Sequence, residues 1–345
     1  MADHFRHEPS PHQKTAASGQ GYCGVRELIS IANHDYETII EVGRARLSVL
    51  RPAVFEKDLL ITKALGLLQD FNWGEFSIVF CGGTSLSKGY KLIDRMSEDV
   101  DFKVIVPPSL SRSQCRKKLG KLHKDLAQYL SGEEFNPGSS PPRNENRYFH
   151  FSLGYASRFP EVMALRPEIK LDFTAHTPRL QPRYVQVKSL LSGVIPEREE
   201  PPIPYCALDY EETLVEKVVA FLRRTASWSE DNLPNEEHSP EDERLVRHLY
   251  DVHQLLEKEI KTREVKYQLR HLFQEVIESD RETDKAFAKN STQRLNHALR
   301  YLHTDPSDFE ALYGEFVNDL VWGQAVDFNE ARDAFSGLDC QLLNG

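Results

Sequence analysis

Asp99 and Asp101 stand two residues apart at the head of an alternating run that ends at Val106. Side chains alternate across a strand, so a strand over 100–106 sets Asp99, Asp101 and Lys103 on one face. Val100, Phe102, Val104 and Val106 share the other. Upstream, Phe80-Cys81-Gly82-Gly83-Thr84-Ser85-Leu86-Ser87-Lys88 reads as a buried strand, 76–80, running into a glycine turn that opens a helix. Such a turn offers backbone N–H groups to a phosphate chain. Paired carboxylates suit the Mg²⁺ that travels with that chain. The two motifs together predict chemistry on a nucleoside triphosphate, with transfer of the nucleoside monophosphate.

A third carboxylate comes from Glu168-Ile169-Lys170-Leu171-Asp172-Phe173. In a strand over 168–174, Ile169, Leu171 and Phe173 point one way and Glu168, Lys170 and Asp172 the other. Laid beside the 100–106 strand, Asp172 completes a metal site and can take the proton of an incoming hydroxyl. Glu168 is the reserve candidate, and a half-exposed edge strand is the plainer alternative.

Two helices offer cations. In a helix over 208–224, Leu214, Val215, Val218, Val219, Phe221 and Leu222 form an apolar stripe with Lys217 and Arg224 on its edge. Those two either neutralise phosphate or snorkel at the surface. Further on, Leu245, Leu249, Val252 and Leu256 line a buried helix side, with Arg247 and Asp251 on another face. Spaced four apart, they could form an intrahelical ion pair worth only ~0.3–0.5 kcal/mol.

These motifs need a scaffold, and 345 residues allow two domains. A 40% hydrophobic, 28% charged composition is that of a globular protein. No apolar run is long enough to span a bilayer, and no membrane partner is expected. The five cysteines are scattered without metal-type spacing and read as reduced thiols, as in a cytoplasmic protein. A net charge of −10 argues against broad coating of nucleic acid. One basic helix, 113–130, gathers Arg112, Arg116, Lys117, Lys118, Lys121 and Lys124 and reads equally as a solvated face or an RNA-facing patch.

The order of elements predicts an α+β chain. Residues 1–22 form a mobile tail. Residues 23–200 hold a mixed sheet core flanked by helices, with helical periodicity over 24–70, a further strand over 148–155 and a breaker-rich loop over 136–142. A proline-rich stretch, 196–204, precedes a mainly α-helical C-terminal domain, 205–345, interrupted by an acidic loop over 229–243.

The ordered set resembles the AbiEii/AbiGii toxin family of nucleotidyltransferases, which includes the MenT toxins and belongs to the DNA polymerase β-like superfamily. The matching residues are Glu56-Lys57-Asp58, Gly82 to Leu86, Arg95 to Phe102, Glu216 to Ala220, and Arg247 with Asp251. His248 stands where the family pattern carries an acid. The resemblance implies a nucleotidyltransferase fold and transfer of a nucleotide from an NTP, with Mg²⁺ or Mn²⁺ as cofactor. For several relatives the acceptor is the 3′ end of a tRNA, and many are toxins held by an antitoxin. It implies that Asp99, Asp101 and Asp172 hold metal and, together with Lys217 and Asp251, form the catalytic set. Gly82, Gly83, Thr84 and the Ser85 hydroxyl would cradle the triphosphate, Lys88 and Lys217 would neutralise it, and Arg247 would shape the nucleotide pocket. Two other readings stay open: nucleotidylation of a protein hydroxyl, and a non-catalytic nucleotide- or RNA-binding module.

Overall fold

The computed structural model describes residues 29–45, 50–132, 135, 137–160, 162, 165–195, 197–225, 244–260, 263–283, 285–288, 291–304 and 307–344. The tail expected over 1–22 and the acidic loop over 229–243 lie outside these residues. Two helices, α1 (Asn33–Arg44) and α2 (Pro52–Asp70), lead into strand β1 (Ser77–Cys81). Helix α3 (Gly82–Thr84) follows at once and widens into a π-type turn, Ser85–Tyr90. Then come β2 (Asp99–Ile105), α4 (Arg112–Gly132), β3 (Pro137–Ser139), β4 (Tyr148–Gly154), β5 (Glu168–Ala175), β6 (Arg183–Val187), α5 (Leu191–Val194) and β7 (Ile203–Ala207). The remainder is helical: α6 (Tyr210–Thr225), α7 (Arg244–Lys258), α8 (Arg263–Thr283), α9 (Lys285–Ala288), α10 (Ser291–Thr304), α11 (Ser307–Leu320) and α12 (Phe328–Asn344).

The strands form one mixed seven-stranded sheet in the order β3-β4-β5-β2-β1-β7-β6. β2 runs antiparallel to β1 and parallel to β5, and β1 runs parallel to β7. Period-two alternation sorts the two faces. Phe80, Phe102, Phe149 and Phe173 are buried on one, with the Phe102 and Phe173 rings stacked at 5.4 Å and the Phe149 and Phe173 rings at 5.1 Å. Lys103, on the other face, reaches Glu216 of α6 at 2.5 Å, so α6 crosses the face that carries the aspartates.

Two expectations need correction. The breaker-rich segment 136–142 is not all loop, because Pro137–Ser139 pairs with β4 as an edge strand. An edge strand tolerates proline at its first residue, since one side of its backbone has no ladder to complete. The sheet also continues past the proline-rich stretch: β7 lies between β1 and β6, so the region after residue 205 begins as strand and not as helix.

The helical half is tied to the sheet by main-chain bonds. The Met96 N–H donates to Leu320 O at 2.8 Å, and the Trp322 N–H donates to Asp94 O at 2.9 Å. Among the described residues no helix is long and apolar enough to cross a membrane.

Glu56, Lys57 and Asp58 sit in the first turns of α2, all buried, and each holds a different segment. Glu56 accepts from the Ser157 hydroxyl at 2.5 Å and the Arg158 N–H at 2.8 Å. Lys57 donates to Glu98 at 2.5 Å and to Arg166 O at 2.8 Å. Asp58 pairs with Lys88 and accepts from the Leu190 N–H at 2.6 Å. Lys88 is therefore committed to α2, and its expected place on a triphosphate is wrong: a buried ammonium stays with its buried counter-ion. Asp58→Ala would leave that ammonium unpaired and the Leu190 N–H orphaned, and should cost about 3–5 kcal/mol in urea unfolding. Adding Lys88→Met should recover much of the loss; a double variant as unstable as the single would contradict the pairing.

Candidate active site

The register of three strands builds the floor of a cleft of about 370 Å³. Cys81, the last residue of β1, lies opposite Asp101 of β2, and Asp101 lies level with Asp172 of the parallel strand β5. Asp99 precedes on the same face of β2, level with Lys170. The chain then turns at Gly82, where φ is +75° and a Cβ would stand 2.1 Å from Asp101 Oδ2. A Cβ at Gly83 would meet the Ser97 hydroxyl at 2.7 Å and the Arg95 guanidinium at 2.8 Å. Both glycines line the cleft. Their lack of side chains leaves the turn's backbone against the acidic strand ends.

The three carboxylates differ in their partners. Asp99 accepts from the Arg166 guanidinium at 2.8 Å. Asp172 accepts from the Tyr148 hydroxyl at 2.6 Å and pairs with Lys170 at 3.0 Å. Burial raises the Asp101 carboxyl, and Asp172 and Asp99 beside it add to the effect, so that it is pushed up to about 8. That excess of negative charge is what a bound cation would relieve.

These contacts already engage two of the three expected metal ligands, Asp99 and Asp172. Among the described residues no three His, Cys, Asp or Glu side chains are gathered so as to hold a metal ion. Arg166 and Lys170 draw the outer two carboxylates toward themselves. The donors themselves fit a hard divalent ion, being carboxylate oxygens from neighbouring strands around one under-neutralised member.

The facing wall is cationic. Lys217 and Arg224 of α6 line it, with Arg247 and His248 of α7 and Arg95 from the segment before β2. Arg247 and Asp251 do not pair with each other, contrary to the simplest reading of their spacing. Arg247 instead reaches back to Glu98 at 3.2 Å. Asp251, wholly buried, accepts two bonds from Arg95 at 2.6 Å each and pairs with Lys217 at 2.7 Å. Burial opposes its charge, but Arg95 and Lys217 hold its carboxyl ionised, with a pKa far below the usual carboxylate range. It acts on the cleft by fixing those two cations, and does not itself line it. His248 is held well below its usual value by burial, then by Lys217 and Arg224, and its Nδ1 is buried with no hydrogen-bond partner.

Other expected residues are placed differently. The Thr84 hydroxyl donates to Asp99 O and the Ser85 hydroxyl to Gly82 O at 2.9 Å; both side chains are buried and outside the cleft lining. They brace the turn while its glycines face the space, because a short hydroxyl in a tight turn finds a main-chain oxygen first. Glu168, the reserve carboxylate, also lies outside the lining. Sequence reasoning did not single out Arg166, Lys170, Tyr148 or Glu216 as site residues. Lys170 was visible on the Asp172 face of its strand; Arg166 precedes Pro167 with no pattern to mark it.

Phosphate chemistry is the class of activity this cleft suits: acid on one side, fixed cations on the other, a glycine turn between. Residues 70–333 match the family described as nucleotidyl transferase AbiEii toxin, type IV toxin–antitoxin system. The chain belongs to this family, and it is a nucleotidyltransferase. No curated protein matches the sequence. Among solved structures it is similar to MenT4, a nucleotidyltransferase toxin from Mycobacterium tuberculosis H37Rv. The similarity has 15% identity and a TM-score of 0.44, covering 90% of this chain and 99% of that one.

Asp101 makes the fold pH-sensitive. Its folded value lies above the ordinary 3.8, so between those limits the native state binds more protons than the unfolded one. Its contribution to stability therefore falls as pH rises toward about 8. In chelator-treated protein, Asp101→Asn should raise Tm near the top of that window by about 2–4 °C and leave it unchanged at its acidic end. Equal effects at both ends would exclude an electrostatic origin.

Proposed function

We propose that the protein transfers a nucleoside monophosphate from an NTP to the 3′-terminal hydroxyl of an RNA acceptor of the tRNA class, with Mg²⁺, and that a partner antitoxin restrains it. The observation that carries the reading is the level placement of Asp101 and Asp172 on adjacent parallel strands, beside Asp99 and the Gly82–Gly83 turn.

In this reading the triphosphate tail lies against the turn and faces Lys217, Arg224 and Arg247. These cations are fixed before substrate arrives, Lys217 by Asp251 and Arg247 by Glu98, so they need little reorganisation as charge moves. The acceptor hydroxyl comes to Asp172, whose carboxylate is oriented by Tyr148 and Lys170 and takes the proton. The hydroxyl oxygen bonds to the α-phosphorus as the bond to the bridging oxygen of the β-phosphate breaks. Pyrophosphate departs toward Lys217 and its neighbours. A divalent ion held by Asp99, Asp101 and Asp172 would supply charge neutralisation at the α-phosphate. His248, neutral in place of an acid, leaves the cationic wall without an opposing charge at that position.

The test is incubation of purified protein with each labelled NTP, Mg²⁺ and total RNA, followed by sizing of the products. Label on the 3′ end of small RNA is the expected result. Label on protein would change the acceptor, and no incorporation from any NTP would overturn the reading. Asp101→Asn should lower transfer by about 10²–10⁴-fold. Lys217→Ala should raise the Kd for NTP by about tenfold, the loss of one charge-assisted contact.

A further inference from the structure

A second depression, of about 660 Å³, runs along the outer face of α4. Arg116, Lys117, Lys121 and Lys124 line it, and Pro142 and Asn146 of the β3–β4 connection close its far side. The cations recur at helical spacings of three and four, so they form one stripe on a helix rising ~1.5 Å per residue. The nearby carboxylates are already engaged: Glu145 by Arg112, Asp125 by Lys121, Glu75 by Lys118. Among the described residues Arg116, Lys117 and Lys124 are exposed and form no salt bridge, although Arg116 adds to the positive field at Glu145. Arg143 and Arg147, on the same connection, are exposed and form no salt bridge among the described residues, with Arg147 also facing Glu145. In a chain of net charge −10, this is a local excess of positive charge that internal pairing does not use.

The connection that closes this groove leads into β4, whose first residue, Tyr148, borders the active-site cleft. Asn146 lines the groove, with its side-chain amide on Arg116 O at 2.8 Å, and Tyr148 lines the cleft, with its hydroxyl on Asp172. The two stand two residues apart, Asn146 in the turn that precedes β4 and Tyr148 at the head of that strand. The stripe lies across the sheet edge from the aspartates, since His123 of α4 packs on Phe149 and Phe151 of the opposite face, and a polymer that leaves Asp172 around the 144–147 turn meets it.

We propose that the α4 groove docks the phosphodiester backbone of the RNA acceptor. The proposal rests on the reading of the acceptor given above. An exposed, unpaired row of lysine and arginine attracts phosphates without regard to base sequence. Its place beside the acceptor side of the cleft, away from the triphosphate wall on α6 and α7, favours RNA over an acidic protein.

The test uses the full chain and a fluorescein-labelled oligoribonucleotide of about twenty nucleotides, with binding followed by anisotropy against salt. Arg116→Gln, Lys117→Gln and Lys124→Gln together should weaken RNA binding at least tenfold and flatten the log–log salt slope by about 2. The Kd for NTP and Tm should not change. A control with equal charge loss elsewhere, Lys91→Gln, Lys188→Gln and Arg300→Gln, should bind RNA as the unaltered protein does. Unchanged RNA affinity in the groove variant, or equal loss in the control, overturns the proposal while RNA labelling by the unaltered protein keeps the acceptor reading. If the unaltered protein neither binds nor labels RNA, the acceptor reading fails first. Loss of an acidic protein partner with RNA affinity intact would assign the groove to that partner instead.

Discussion

One buried carboxylate holds the two halves of the active site in register. Asp251 of α7 neutralises Arg95, from the segment before β2, and Lys217, from α6, and it is itself completely buried. Burying an ion is expensive, and only close, well-bonded counter-charges offset the cost. Asp251 has two, so the cluster stays charge-balanced or better and carries one positive charge to spare toward the cleft. Glu98 repeats the arrangement from the opposite side, carried by a strand approach and gripped by Lys57 of α2 and Arg247 of α7. Burial would raise the Glu98 carboxyl, but Lys57 and then Arg247 bring it below the ordinary value. In one cluster the acid comes from the helical half and in the other from the sheet half. Both clusters stand behind the cationic wall of the cleft, and through Arg95, Lys217 and Arg247 they hold it in place.

The consequence is a polarised cavity. Three aspartates crowd one side without enough positive charge to balance them, while cations stand fixed on the other. A polyphosphate accompanied by a metal ion complements that distribution on both sides. Arg166 and Lys170 partly quiet the acidic side by pairing with Asp99 and Asp172, and Asp101 is left as the under-neutralised centre. Electrostatic preorganisation of this kind costs folding stability and is repaid when charge moves.

Much of this was legible from alternation alone. Period two put Asp99 and Asp101 on one face, and the same rule put Asp172 opposite Leu171 and Phe173. Their meeting depended on β5 lying parallel to β2 in a particular register, which sequence pattern does not encode. Lys217 and Arg224 were legible as a helix-edge pair, and both reach the cleft. The partnerships of the buried charges were not. Arg247 and Asp251 fit the four-residue spacing of an ion pair, yet long-range partners outbid that weak local one. Lys88 was misplaced for the same reason: adjacency to a phosphate-binding turn says nothing of Asp58 waiting behind it. Arg166 carried no periodic signal. The strand in the proline-rich connection was hidden because edge position, which makes it tolerable, is a property of the sheet and not of the segment.

Gly82 shows how narrowly the floor of the cleft is drawn. Its backbone lies in a region that side-chain-bearing residues avoid, and the volume a methyl group would need is already filled by the carboxylate of Asp101. At this codon every replacement evicts the acid next door. Silencing of such an enzyme by a single base change, with its architecture otherwise left standing, is therefore always within mutational reach.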